Sequence, residues 1–258
     1  MNSASSKLIE VEAEEPEMKT PHTRCAGTHR TSVDILCVFA HPDDELLCAG
    51  IVAHHSRNGR SVAVAVVTDG SGGIAFYDPK MPPRKLAEVR RAEMLNSARV
   101  LGVSKVEFLG FADGYDKPLA ADPAAVTRRI RDVIGRLKPA IVLTHGPDGE
   151  YGHSNHKDVS KFTWEAVQSF RGGSKPLLYY CQAYFADAPV PRSNVSVKAH
   201  YVFPVTGRNY EARHNVMLCH VTQMNCFLGF FGKDQDRECY HRVGRPNRHS
   251  SWFEVVPD

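Results

Sequence analysis

The sequence lacks both a long apolar run and a strong excess of charge of either sign. Its 258 residues include 32 Lys and Arg against 29 Asp and Glu, and the resulting formal net charge of +3 is spread along the chain. A membrane-spanning helix needs about 20 consecutive apolar residues, and nucleic-acid binding is usually accompanied by a concentrated basic patch. We therefore predict a protein with no membrane span and no nucleic-acid partner.

Paired cysteines are also lacking. The seven Cys include no Cys-x-x-Cys pair, and their odd number indicates reduced thiols rather than a disulfide framework. Residues 1–20 contain five acids and no apolar core, so we expect no secretory signal there. The predicted location is therefore cytoplasmic, and residues 1–30 are predicted to form a flexible tail.

Beyond the tail, short apolar runs alternate with helical patterns. The length and a hydrophobic content of 42% suit a single domain over residues 31–258. The alternation predicts an α/β fold with a Rossmann-like, doubly wound, mostly parallel sheet of strand order 3-2-1-4-5 and helices on both faces. The predicted strands cover residues 33–40, 61–68, 106–109 and 140–145, and the predicted helices cover residues 46–58, 84–101, 123–137 and 157–170.

The domain is predicted to consist of a core over residues 33–170 and a small C-terminal β/α extension over residues 171–258. The pattern of the extension is less regular than that of the core. It predicts strands at 177–185 and 200–204, a helix at 210–230, a loop-like tail from 232, and a terminal edge strand at 252–256.

A polar motif, Ala40-His41-Pro42-Asp43-Asp44-Glu45, follows the first predicted strand. Ligands of α/β proteins usually bind at the carboxyl ends of the strands. His41 and Asp44 are three residues apart, so an imidazole and a carboxylate could share one metal while Asp43 stays available for proton transfer. The plainer alternative is a helix start, at which acidic residues complement the helix dipole.

A second polar motif, Gly152-His153-Ser154-Asn155-His156, follows the fourth predicted strand. Strands one and four are neighbours in the predicted order, so the two motif loops should face each other. Two His and one carboxylate, with positions left open for water and substrate, are typical of a catalytic rather than a structural metal site. From the residues alone, either His153 or His156 could be the second imidazole ligand.

Together the two motifs resemble those of the zinc-dependent N-deacetylases of the LmbE-like, or PIG-L, superfamily. The resemblance extends over residues 33–170, with a weaker echo at residues 220–223. It implies hydrolysis of the N-acetyl group of an N-acetylglucosamine-like sugar or glycoconjugate, which gives acetate and a free amine. Zn²⁺ is the implied cofactor, with Fe²⁺ or another divalent metal as the alternative. The sequence leaves open whether the chain forms a homo-oligomer.

The resemblance also implies individual roles for the matched residues. It implies metal binding by His41, Asp44 and His156, proton abstraction by Asp43, oxyanion stabilisation by His153, and substrate contacts by Arg90 and Asp113. Arg90 could instead pair with Glu93 on the surface of a helix. Tyr151, two residues before His153, is a further candidate to contact the substrate through its phenol.

Two positions depart from the common family pattern. Many relatives have Pro-Asp between the two later His, where this chain has Ser154-Asn155, and Asn155 cannot supply a carboxylate to raise the pKa of His153. Ser71 stands where a Glu often follows the second strand, which puts sugar contacts from that loop in question. His145 and His220 are candidates to support the site.

Two other functions remain open from the sequence. A non-haem Fe(II) oxygenase also uses two His and one carboxylate, although its motif is usually His-x-Asp on a β-roll. A catalytically inactive sugar-binding module would require the motif side chains to be ordinary polar groups of loops.

Overall fold

A computed structural model of the protein describes residues 32–114, 119, 122–182, 199–225, 227, 236–245 and 251–253. The tail predicted at residues 1–30 lies outside the described residues. The same is true of most of the segment between the strands predicted at 177–185 and 200–204, and of residues 254–256 of the predicted terminal strand.

A seven-stranded sheet of order β3-β2-β1-β4-β5-β7-β6 organises the described residues. The first five strands in this order are parallel, whereas β7 runs antiparallel to both of its neighbours. The prediction of a doubly wound, mostly parallel sheet of order 3-2-1-4-5 is therefore confirmed. The strands are β1 (Ile35–Phe39), β2 (Val62–Thr68), β3 (Lys105–Phe111), β4 (Ile141–His145), β5 (Leu177–Gln182), β6 (Tyr201–Pro204) and β7 (Arg237–Arg242).

Helices cover both faces of the sheet, as predicted. One apolar cluster joins the sheet to α1, α2 and α5, and a second joins the opposite face to α3 and α4. No helix in the described part of the chain is both long and apolar enough to cross a bilayer. The helices are α1 (Ala49–Arg57), α2 (Pro83–Leu101), α3 (Pro123–Leu137), α4 (Ser154–Ser169) and α5 (Gly207–Cys219), with short 3-10 helices at Asp44–Cys48 and Val221–Gln223.

The central strand β1 explains the apolar run that precedes the first motif. Ile35, Cys37 and Phe39 belong to the cluster on one face, and Leu36 and Val38 belong to the cluster on the other. A strand buried on both faces must be apolar at every position, which is typical of parallel sheets. Because β1 pairs in parallel with β4, the loops that carry the two motifs leave the same edge of the sheet.

The C-terminal extension differs from its prediction. The helix predicted over residues 210–230 begins at Gly207 and ends at Cys219, and a short 3-10 helix follows it. The loop-like tail predicted from residue 232 is wrong, because β7 lies within it. The charged residues of this strand led to the prediction of a loop. Glu238 is nevertheless buried, and it accepts hydrogen bonds from helix α1. Trp252 lies in a turn rather than at the start of a strand.

Candidate metal and active site

Three side chains from the two motifs converge at the carboxyl edge of the sheet. Nδ1 of His41 lies 3.3 Å from Asp44 Oδ2 and 3.2 Å from Nε2 of His156, and that Nε2 lies 3.2 Å from Asp44 Oδ1. Nitrogen and oxygen ligands at roughly 2.0–2.1 Å from one tetrahedral zinc are themselves roughly 3.3 Å apart. The donor types and their separations therefore fit one divalent cation.

The chain reaches this arrangement through a tight turn after β1. The backbone N–H of His41 donates to Asp44 Oδ2 at 2.7 Å, which fixes the carboxylate beside the imidazole. Asp43, between them, adopts φ 121° and ψ −20°. A non-glycine residue at positive φ is held there only by its surroundings, and such conformations are frequent at functional sites.

Asp43 is held by Arg90 of helix α2. Arg90 Nη2 donates to Asp43 Oδ2 at 3.0 Å and to the carbonyl oxygen of Pro42 at 2.6 Å, and Nη1 donates to the carbonyl oxygen of Gly70 at 2.9 Å. Burial raises the pKa of Asp43 to about 6, and the charge of Arg90 opposes that rise.

The alternative in which Arg90 pairs with Glu93 on a helix surface is wrong. Both residues are buried, and the Glu93 carboxylate instead accepts hydrogen bonds from the backbone N–H and the hydroxyl of Thr222 at 2.9 and 2.6 Å. Arg90 therefore contacts the first motif loop, and Glu93 contacts the C-terminal segment.

Helix α4 begins at Ser154, three residues earlier than predicted, because His153 caps it. The backbone N–H of Asn155 donates to His153 Nδ1 at 3.2 Å, so that nitrogen is an acceptor and the ring proton is on Nε2. Burial and the neighbouring imidazoles lower the pKa of His153 to about 3. His153 is therefore a neutral donor, with its ring stacked at 4.5 Å on that of His156.

Sequence reasoning missed Glu150, whose side chain is 1% exposed. Its Oε2 lies 2.7 Å from Nδ1 of His156 and 3.2 Å from Nδ1 of His145, and its Oε1 accepts from the backbone N–H of Gly146 at 3.1 Å. Burial alone would raise the pKa of Glu150, but the two imidazoles lower it to about 2. The available signal was the pair of carboxylates, Asp148 and Glu150, inside the Gly-rich loop before His156.

The charges around His156 favour a cation. Burial alone would lower the pKa of this imidazole, but Asp44 and Glu150 raise it to about 10. The potential that stabilises a proton on the ring would also attract a metal ion to the same place.

Two other groupings could also hold an ion by proximity, namely His41 with His153 and His156, and Asp44 with His145 and His156. The second is disfavoured, because the backbone N–H of Ala40 donates to His145 Nε2 at 3.0 Å. That hydrogen bond occupies the lone pair that a metal would need, so His145 fits a supporting role.

Asn155 and Asp113 lie behind His41. Asn155 Nδ2 is 3.2 Å from Asp113 Oδ1 and 3.3 Å from Nε2 of His41, and Asp113 Oδ1 is 3.8 Å from the same imidazole nitrogen. An Asp at position 155 would place two carboxylates side by side. The Asn at this position therefore avoids repulsion with the Asp113 carboxylate. Its contact with His153 is a hydrogen bond from the backbone N–H rather than from the side chain.

His220 links the C-terminal segment to the first motif. Its Nε2 lies 2.5 Å from Glu45 Oε1, and Glu45 Oε2 accepts from the backbone N–H of Asp43 at 3.1 Å. Both side chains are buried. The supporting role expected for His220 is thus indirect, because it acts through Glu45.

The converging residues form the floor of a crevice of about 510 Å³. Asp43, Arg90, Asp113 and His153 also line it. Tyr151 stands at its mouth, 37% exposed, with its ring against those of His153 and His156. Every residue predicted to bind the metal, take part in catalysis or contact the substrate therefore lines this crevice, whereas the supporting candidates His145 and His220 are not among its lining residues.

Known proteins resemble the chain in sequence. A family model described as "PIG-L: GlcNAc-PI de-N-acetylase" matches residues 36–167. A 1D-myo-inositol 2-acetamido-2-deoxy-alpha-D-glucopyranoside deacetylase of Kineococcus radiotolerans is 32% identical over 163 residues, which cover 52% of this chain and 44% of the relative. The chain thus spans about half the length of the curated relatives it matches.

Solved structures share the fold at lower sequence identity. The N,N'-diacetylchitobiose deacetylase of Pyrococcus horikoshii superposes with a TM-score of 0.64 at 20% identity, covering 82% of this chain and 84% of that one. The 4-carboxy-2-hydroxymuconate hydratase of Pseudomonas putida superposes with a TM-score of 0.67 at 19% identity, covering 84% and 99%. With half of the chain and both motif loops matched by the family model, the protein belongs to the PIG-L family.

Proposed function

We propose that this protein is a metal-dependent amidase that removes the N-acetyl group from an amino sugar of the N-acetylglucosamine type. The observation that carries the proposal is the convergence of His41, Asp44 and His156 to mutual distances of 3.2–3.3 Å beside Asp43. Membership of the PIG-L family and the similarity to a deacetylase of an acetamido sugar support it.

His41, Asp44 and His156 would hold the metal, and two imidazoles with one carboxylate are a common ligand set of catalytic zinc. Fe²⁺ or another divalent metal is the alternative. When bound, such an ion supplies a Lewis acid and lowers the pKa of water from about 15.7 toward about 7.

Asp43 is assigned as the general base. It lines the crevice without belonging to the three converging ligands, and Arg90 holds its carboxylate in place. As water adds to the acetamide carbonyl carbon, Asp43 takes the proton at a carboxylate oxygen. The C–N bond then breaks, and this proton passes to the departing nitrogen, so acetate and a free amine are the products.

His153 is assigned to the developing oxyanion. Its Nδ1 is engaged with the N-terminus of helix α4, so Nε2–H is the donor that can face the substrate. A fixed donor aimed at the place where negative charge develops stabilises the transition state more than the ground state. His153 therefore acts as a neutral hydrogen-bond donor.

Asp113 and Tyr151 are assigned to substrate binding, because both line the crevice beside the imidazoles. Arg90 was predicted to contact substrate as well. Its Nη1 and Nη2 groups donate to Pro42, Gly70 and Asp43, which favours a positioning role.

The test is release of free amine from N-acetylglucosamine and N,N'-diacetylchitobiose by zinc-loaded protein under anaerobic conditions. Amine and acetate in equal amounts are expected. A requirement for oxygen would instead indicate the oxygenase alternative. Binding of the sugars with no amine released would indicate the inactive module. The cytoplasmic location and the single domain over residues 31–258 stay predictions, and the oligomeric state stays open.

A further inference from the structure

The two imidazoles of the proposed metal site differ in what their second ring nitrogens contact. Nδ1 of His156 has the Glu150 carboxylate at 2.7 Å. His41 presents its Nδ1 to Asp44 and His156, so its Nε2 is the nitrogen directed away from the proposed ligand set. An imidazole that binds a metal through one nitrogen carries its proton on the other, and that N–H is almost always donated to a carboxylate, a carbonyl or water. Nε2 of His41 therefore needs an acceptor.

Asn155 lies beside this nitrogen but offers a donor. Its Nδ2 is 3.3 Å from Nε2 of His41 and donates at 3.2 Å to Asp113 Oδ1. The opposite orientation of the amide would exchange its oxygen and nitrogen, and it would bring two acceptor oxygens of Asn155 and Asp113 together. The observed orientation avoids this, although it leaves Asn155 Oδ1 buried without a hydrogen bond in the described part of the chain. The amide therefore does not receive the ring proton of His41.

Asp113 supplies a carboxylate on the same side of the ring. Its Oδ1 lies 3.8 Å from Nε2 of His41, and its side chain is 4% exposed. Two contacts fix its position, because Oδ1 accepts from Asn155 and the backbone N–H of Asp113 donates to Asp69 Oδ1 at 3.1 Å. A separation of 3.8 Å is longer than a hydrogen bond, and a proton on Nε2 would draw the carboxylate closer.

We propose that Asp113 is a positioning residue, which accepts the Nε2 proton of His41 and so keeps the lone pair of Nδ1 available to the metal. Asn155 holds Asp113 in place, which an ionised Asp at position 155 could not do because it has no donor. Each imidazole ligand would then have its own carboxylate, Asp113 for His41 and Glu150 for His156. The proposal rests on the ligand set of the proposed function, and it gives Asp113 a role besides substrate binding.

A competition for Nε2 of His41 makes this role measurable. The Asn155 donor favours a lone pair on Nε2, which puts the ring proton on Nδ1 and blocks metal binding there. The Asp113 acceptor favours the proton on Nε2. Asp113→Ala should therefore weaken zinc binding by roughly 10–100-fold. In the metal-free protein, the same substitution should move the His41 proton from Nε2 toward Nδ1.

Equilibrium dialysis with metal analysis measures the zinc affinity, and the nitrogen chemical shifts of the His41 ring, observed by NMR, measure the tautomer. Asp113→Asn keeps the shape of the side chain and a weaker, neutral acceptor, so it should change both quantities in the same direction by less. Asp132→Ala, at an exposed position of helix α3, is the control for loss of a carboxylate and should change neither.

Zinc affinity of both Asp113 variants equal to that of the natural protein would make Asp113 a substrate contact only and would overturn the proposal. A loss of affinity with an unchanged His41 tautomer would also overturn it, because the carboxylate would then act through its charge rather than by orienting the ring. His41→Ala separates the two proposals. If it loses zinc while the Asp113 variants do not, only the positioning role fails. If it binds zinc normally, the ligand set of the proposed function fails as well.

Discussion

Nδ1 of His156 lies 2.7 Å from Oε2 of Glu150, and the same carboxylate oxygen lies 3.2 Å from Nδ1 of His145. A carboxylate bonded to one imidazole nitrogen fixes the tautomer, so the other nitrogen presents its lone pair. Here the other nitrogen of His156 faces Asp44 and His41. Glu150 therefore prepares His156 to act as a metal ligand.

Glu150→Gln should weaken zinc binding by roughly 10–100-fold, the usual effect of removing a carboxylate that orients a ligand. The ring of His156 would lose its charged partner while all three ligand atoms stay present. Equilibrium dialysis with metal analysis measures the change. Glu107→Gln, at a carboxylate of β3 paired with Arg136, is the matched control and should bind zinc like the natural protein. Equal affinity in the two variants would contradict the positioning role.

His41→Ala should weaken zinc binding more than Glu150→Gln, because it removes a donor atom rather than the support of one. His214→Ala, at an exposed position of helix α5, provides the control for loss of an imidazole. The same dialysis measurement applies. Metal content that is unchanged in His41→Ala would exclude His41, Asp44 and His156 as the ligand set.

Asp43→Asn should lower kcat by roughly 10²–10⁴-fold and leave zinc bound, because it removes a general base but no ligand. Asn is the suitable replacement, since it tolerates positive φ better than most residues do. Rates and metal content are measured on the same samples. Loss of the metal with the activity would mean that Asp43 is itself a ligand.

Arg90→Lys should lower kcat while changing KM little, because Lys cannot reproduce the three hydrogen bonds that hold Asp43, Pro42 and Gly70. Steady-state kinetics distinguishes the two roles considered for Arg90. A rise in KM at constant kcat would point to a contact with substrate that is equally strong in the ground and transition states. Arg84→Lys, at an exposed position of the same helix, is the control.

The sequence predicts the features of this fold that depend on neighbouring residues in the chain. The buried strand β1 and the turn at Pro42 can be predicted because each depends on residues that are adjacent in the sequence. Glu150 could not be predicted as a positioning residue, because its contact with His156 depends on how the loop between β4 and α4 folds. Helix α4 was predicted to begin too late because His153 is an uncommon capping residue.

Strand β7 was missed for a related reason. Glu238 reads as a solvent-exposed acid, yet its carboxylate accepts hydrogen bonds from the backbone N–H groups of Gly50 and Ile51 at 2.7 and 3.0 Å, 188 and 187 residues away in the chain. It also accepts from the hydroxyl of Tyr240 at 2.7 Å. The Glu238 carboxylate makes the strand hard to predict from the sequence, and the same group attaches the C-terminal extension to the first turn of helix α1.

Glu238→Ala should lower the free energy of unfolding by roughly 1–3 kcal/mol, because it leaves buried N–H groups of helix α1 without an acceptor. Chemical denaturation monitored by circular dichroism measures the change. Glu211→Ala, at an exposed position of helix α5, should have little effect. A Glu238→Ala protein as stable as the natural one would mean that these N–H groups find another acceptor.

The pH dependence of stability tests whether the burial of Glu238 outweighs its hydrogen bonds. Burial raises the pKa of this carboxyl above its ordinary value, and the charge of Arg213 opposes the rise without cancelling it. The folded state therefore holds the proton more tightly than the unfolded state. The stability that comes from holding this proton is fully present below the unfolded pKa of about 4.3. It is lost as the pH rises through the pKa of Glu238 in the folded state.

Glu238→Gln keeps an acceptor for the N–H groups but cannot titrate. The difference in unfolding free energy between the natural protein and this variant should therefore shift in favour of the variant as the pH rises above about 4.3. Taking the difference cancels the titration of all groups that the two proteins share. A difference that is constant with pH would show that the folded and unfolded states bind this proton equally. A shift in the opposite direction would show that the hydrogen bonds from Gly50, Ile51 and Tyr240 outweigh the effect of burial.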